Sequence, residues 1–172
     1  MKVICCSCGI SLGERDSTAF EQDAISHGLC DSCSHSFMAQ IGMPLDEYLG
    51  GIEAPVTVVT PEGRIATANA KGFELLGKNF NEIHGEKGGD VFDCEYARLP
   101  EGCGETIHCS GCTIRNTVMA TLETGEVQRN VPAILNKHAE DGTKRFDLLI
   151  STEQKGGVVF LTILEIAEYV PA

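Results

Sequence analysis

Residues 54–77 read APVTVVTPEGRIATANAKGFELLG, and the order of signals in this stretch decides the fold. Pro55 to Val59 is rich in β-branched residues, which suit extended backbone. Thr60-Pro61-Glu62-Gly63 follows, with proline and glycine at the positions a tight turn favours. Arg64 to Ala68 reads as a returning strand. Asn69 then stands where a helix N-cap belongs, ahead of AKGFELL, with Ala70, Phe73 and Leu76 on one side and Gly77 as the stop.

Downstream, KNFNEIHGEKGGDVF (78–92) is glycine-rich and reads as irregular chain. TIRNTVMATLET (113–124) is a helix: Ile114, Val118 and Leu122 recur at i and i+4, and Gly125 ends it. Three strands follow. EVQRNVPAIL contains Pro132, best tolerated at a sheet edge. The Asp141-Gly142 turn leads into KRFDLLIST, and Lys155-Gly156-Gly157 leads into VVFLTILEI. Upstream, MPLDEYLGGIEAP is a short helix opened near Pro44 and closed by Gly50-Gly51. The expectation is an α+β chain divided into a cysteine-rich module (1–40), a helical linker (41–52), the main domain (53–168) and a tail (169–172).

The phrase from Ala54 to Gly77 resembles the start of a PAS domain: a strand, a (D/E)G(R/K)I turn, a second strand ending in Asn, and a helix ending LLG. The resemblance covers residues 53–168. It implies a five-stranded antiparallel sheet in order 2-1-5-4-3, covered by short helices, with the Pro132 strand at an edge.

The chain has 172 residues and a formal charge of −12. Such a surface repels phosphate backbones, so no nucleic-acid partner is expected, and a protein partner fits better. No apolar run approaches a membrane-spanning length, and MKVICCSCGI is interrupted too early for a signal peptide. These features place the protein in the cytoplasm, where grouped thiols hold metal more readily than they form disulfides. No nucleophile elbow, P-loop, Rossmann fingerprint or HExxH motif is present, so the reading is a non-enzyme. Only AEYVPA follows the last strand, which suggests a stand-alone sensor without an output domain.

The nine cysteines fall into two groups and one extra. Cys5-x-x-Cys8 and Cys30-x-x-Cys33 are two knuckles offering four thiolates to one Zn2+ ion, whose binding free energy becomes folding free energy. Cys6 is the odd thiol. It could replace Cys5, but the two-residue spacing favours Cys5 and leaves Cys6 as a packed bystander. With four sulfurs available, His27 reads as an outer hydrogen-bond donor rather than a ligand. No βαβ pattern surrounds either knuckle, so a thioredoxin-like role is weak. ISHGLCDSC resembles a cysteine module found beside PAS domains and kinases in bacterial signalling proteins.

The second group is Cys94, Cys103, Cys109 and Cys112, the last three within GCGETIHCSGC (102–112). The resemblance places them in the loop and helix start that cover the face where PAS domains take ligands. Through Cys94, Ala97, Gly102, Cys103, Gly104, Thr106, Cys109 and Cys112 the stretch is similar to a cysteine-rich PAS variant of bacterial sensors. Zn2+ and an iron–sulfur cluster use the same four thiolates, and both remain open; a disulfide switch stands behind them. Thr113 after Cys112 excludes covalent haem attachment, which needs Cys-x-x-Cys-His. His108 could offer a fifth donor, but it reads as a loop histidine close to the thiolates, an outer partner as His27 is at the first set. Together these features suggest a homodimeric redox or oxygen sensor that signals through a protein. The alternatives are a zinc-stapled interaction module and a small-molecule-binding PAS domain.

Overall fold

Val56, Thr57, Val58 and Val59 are all buried, without the alternation of a half-exposed strand. A strand reads this way when both its faces are covered. The computed structural model describes residues 2–14, 25–34, 37 and 42–171, with backbone alone at 25–28. Within it, β4 (Val56–Val59) is an inner strand of a five-stranded antiparallel sheet with β5 (Ile65–Ala68), β6 (Gln128–Ala139), β7 (Gly142–Lys155) and β8 (Val158–Glu168). The order is β5-β4-β8-β7-β6, which is 2-1-5-4-3 within the domain. Pro132 lies in β6, at an edge of that sheet, where its missing N–H interrupts no inner ladder.

Asn69 caps α2 (Ala70–Leu76), and Gly77 closes it in the left-handed region at φ 64°. Residues 78–92 are more regular than the sequence suggested. They hold two one-turn helices, α3 (Phe80–Ile83) and α4 (Gly88–Val91). The overlooked signal is a capping box, in which Asn79 and Glu82 satisfy each other's backbone N–H groups. Short 3-10 turns at Glu95–Arg98 and Cys109–Gly111 lead into α5 (Thr113–Thr124), ended by Gly125 at φ 74°. The Ile114, Val118 and Leu122 stripe faces the front of the sheet, where it joins Val59, Ile150, Val159 and Leu161 in the main core. Thr121 and Thr152 share a buried hydroxyl hydrogen bond of 2.7 Å across that contact.

The N-terminal segment carries elements that its sequence pattern did not reveal. β1 (Lys2–Cys5) pairs antiparallel with β2 (Ser11–Glu14) and parallel with β3 (Ile25–Gly28). These strands are too short for periodicity to show. A second core lies on the back of the large sheet. Cys6, Phe37 and Leu49 of α1 (Leu45–Gly50) pack there against Val56, Val58, Ala66, Val158 and Phe160. Helix α1 therefore lies on the sheet, and both faces are covered along β4 and along Val158–Ile163 of β8. No helix among the described residues is long and apolar enough to cross a membrane.

Candidate metal centres

The knuckle at residues 5–8 begins where β1 ends. Its turn is closed by bonds from Gly9 N–H to the Cys5 carbonyl (2.9 Å) and from Cys5 N–H to the Ile10 carbonyl (2.8 Å). Parallel pairing of Cys5 with Gly28 brings the end of β3 alongside, so Cys30 follows within reach. Residues 31–34 then make one helical turn, with Ser34 N–H bonded to the Cys30 carbonyl at 2.8 Å. The Sγ atoms of Cys5, Cys8, Cys30 and Cys33 lie within 4.8 Å of one another. Cys8 and Cys30 are 3.7 Å apart, sulfur to sulfur. Tetrahedral zinc with ordinary Zn–S bonds separates its sulfurs by about 3.8 Å, so this donor set fits the ion.

Orientation, rather than titration, separates the four sulfurs from the fifth. Burial pushes the Cys5 thiol up, but N–H bonds from Cys30, Cys8 and Ser7 outweigh it and bring the pKa down to about 7. Burial, together with the neighbouring sulfurs, pushes Cys33 up to about 12. A zinc ion takes all four as thiolates, so its binding releases their protons. Cys6 points the other way, into the second core, where burial and the adjacent Cys5 charge push it up to about 12. It is a neutral packed thiol. The side chain of His27 lies outside the described residues.

The second quartet is built differently. Cys94 follows Asp93, a non-glycine residue at φ 54°. That strained turn is held by Asp93 ion pairs to Lys78 (2.6 Å) and Lys137 (3.4 Å), and by a bond from His138 N–H to the Asp93 carbonyl (2.8 Å). Cys103 Sγ accepts from Gly89 N–H at 3.2 Å, and Lys87 Nζ donates to the Cys103 carbonyl at 2.8 Å. Cys109 Sγ accepts from Gly104 N–H at 3.1 Å and lies 3.1 Å from Thr106 Oγ1. Cys112 occupies the N-cap position of α5.

All four thiols line one cavity of about 700 Å³ between the front of the sheet, the cysteine loop and α5. They do not converge as the first set does. Among the described residues, the thiols grouped closely enough to share one metal ion are those of the first set. Burial raises the Cys94 and Cys103 thiols, and the other sulfurs add to the effect. Cys109 moves down instead: burial opposes this, but bonds from Thr106 and Gly104 and the charge of Arg115 prevail. His108 stacks on Tyr96 with centroids 4.0 Å apart, so its ring is occupied as an aromatic surface of the cavity wall.

Three residues at this site escaped the sequence reading. A Cβ on Gly89 would lie 2.7 Å from Cys103 Sγ and 2.8 Å from its Cβ, so only glycine lets the sulfur approach. Tyr96 supplies the stacking partner for His108, and Arg115 the cation beside Cys109. The adjacent Gly88-Gly89 pair was the available signal, but sequence does not say which of the two matters.

No family model and no curated protein matches the chain. Solved structures do resemble it. A PAS domain from a Desulfitobacterium hafniense protein is similar over 72% of this chain and 99% of its own, at 19% identity and a TM-score of 0.39. The PAS domain of an HTR-like protein from Haloarcula marismortui covers 73% of this chain and 94% of its own, at 15% identity and 0.41. The PAS domain of a quorum-sensing receptor from Cronobacter turicensis, in complex with C12:0, covers 69% and 96%, at 12% identity and 0.42. The sheet order β5-β4-β8-β7-β6 is the 2-1-5-4-3 order that the PAS resemblance of the sequence implied. The chain has the PAS fold. In its PAS domain the second cysteine set lines the cavity on the front of the sheet.

Proposed function

We propose that this protein is a cytoplasmic, non-enzymatic PAS sensor whose input site is the cysteine-lined cavity, with a zinc ion held at the N-terminal knuckles as a structural staple. The observation that carries the reading is four thiols around one cavity on the sheet's front face. An iron–sulfur cluster suits that cavity better than a single zinc ion. Its ligands stand further apart, and its sulfurs take backbone N–H bonds of the kind that Gly89 and Gly104 supply to Cys103 and Cys109. Such a cluster supplies one-electron chemistry whose potential is set by burial and hydrogen bonding. Cys109 and Cys112 sit immediately before α5, so a change in what they hold displaces the first turn of that helix. Helix α5 carries the change to β7 through the Thr121–Thr152 contact.

Protein made and purified without oxygen should carry iron and sulfide beside about one zinc per chain, with visible absorbance that bleaches in air. A colourless protein with about two zinc ions per chain would sink the redox version and leave a zinc-stapled interaction module. An organic molecule retained through purification, with no iron, would favour the small-molecule reading.

A protein partner, or a second copy of the chain, suits the acidic surface better than nucleic acid. Ile166 on β8, in cross-strand register with Leu148, is an exposed apolar residue of the sheet. If it lies in the homodimer surface, Ile166→Lys should shift the sedimentation-equilibrium mass from dimer to monomer. An unchanged mass would remove this surface from consideration.

A further inference from the structure

The N-terminal knuckle has two working faces. Cys5 and Cys8 turn towards the other two sulfurs, while Cys6 and Ser7 between them turn towards the PAS sheet. Cys6 is buried among Phe37, Val56, Val58, Val158 and Phe160. Ser7 Oγ donates to the Gly156 carbonyl at 3.2 Å, joining the knuckle to the turn between β7 and β8.

That turn is shaped around the module. Gly156 and Gly157 both have positive φ, at 59° and 82°. A Cβ on Gly156 would lie 2.6 Å from Phe37 Cδ2 and 3.0 Å from Phe37 Cβ. One on Gly157 would lie 3.2 Å from Ser7 Oγ. Phe37 follows the second knuckle, so both halves of the sulfur cluster send a neighbour onto the sheet. Tyr48 of α1 completes the contact, edge-on to Phe37 (6.1 Å) and Phe160 (5.2 Å), while Lys155 Nζ donates to its hydroxyl at 3.1 Å.

We propose that metal binding at Cys5, Cys8, Cys30 and Cys33 is energetically coupled to docking of the module on the back of the PAS sheet. Metal occupancy there acts as a second input, independent of the front cavity. This rests on the reading of the four sulfurs as a metal site. With the metal bound, the knuckles hold Cys6, Ser7 and Phe37 in place against β4, β8 and the β7–β8 turn. Without it, four clustered thiols no longer fix those residues, and the back face of β4 and β8 loses the part of its cover that Cys6 and Phe37 supply.

Coupling of this kind is reciprocal. A substitution that weakens docking must weaken metal binding, although it touches no sulfur. Zinc affinity is therefore measured by chelator competition on the full chain and on two variants, Tyr48→Ala and Gly156→Val. The Tyr48 variant is the milder and guards against failure of the other to fold. A Cys33→Ser control identifies the zinc held at this site. Both variants should bind this zinc roughly tenfold more weakly. Removing it from the wild type should speed amide exchange at Val56–Val59 and Val158–Phe160 and leave β6–β7 unchanged. Unaltered zinc affinity in the Tyr48→Ala protein, or exchange indifferent to zinc, overturns the coupling while keeping the metal site. A wild-type chain whose bound zinc is the same as in the Cys33→Ser control overturns both.

Discussion

Asn69→Ala is expected to lower the unfolding free energy by about 3 kcal/mol, seen as a reduced urea midpoint with an unchanged slope. The Asn69 amide is buried and makes four hydrogen bonds. Its Oδ1 accepts from Val56 N–H at 3.0 Å and from Gly72 N–H at 2.8 Å. Its Nδ2 donates to the carbonyls of Ile52 and Ala54, each at 2.9 Å. One side chain thus caps α2, starts β4 and anchors the chain arriving from α1. Loss of an N-cap alone costs about 1 kcal/mol, and the unmade bonds to strand and linker supply the rest. Asn69→Asp separates the two contributions. It keeps both acceptor contacts but turns an oxygen towards two carbonyls, so it should be nearly as harmful as alanine. A fully stable Asp variant would reduce Asn69 to a simple cap.

Gly89→Val is expected to strip the second cysteine site while sparing the first. The valine Cβ would sit 2.7 Å from Cys103 Sγ and 3.0 Å from Ala97 Cβ, so the thiol must leave its place and its bond from the residue 89 N–H. Displacing a ligand through its support lowers metal affinity by about 10–100-fold. Iron, sulfide and visible absorbance should fall together, and the N-terminal zinc should remain. Gly88→Ala is the internal control, because a Cβ at Gly88 meets nothing within 4 Å. Equal losses in the two variants would mean that the loop tolerates no side chain at all, and that approach to Cys103 is not the reason.

These two sites differ in how far the sequence reveals them. Asn69 is legible because its partners are near in the chain: strand, turn, strand, cap and stop follow one another, each with a local signature. The α5 stripe and the edge position of Pro132 are legible for the same reason, since period and missing N–H are local properties. The capping box at Asn79 and Glu82 was equally local, but the glycines around it obscured the helix. Gly89 was not legible. Its constraint comes from Cys103, reached only after the chain has turned through α4 and the 3-10 segment beyond it.

The strands of the large sheet, helices α2 and α5 and the two sets of cysteines were legible in the sequence by itself, each from periodicity, turn chemistry or spacing over a few residues, while the order of the sheet was implied by the PAS resemblance. Tertiary structure alone decided how those sets differ. It drew the first four sulfurs within 4.8 Å of one another and spread the second four around a cavity. It also turned Cys6 and Ser7 onto a sheet whose Gly156 lies 149 residues from Ser7. Contacts across that distance have no local period, because the whole topology must close before they exist.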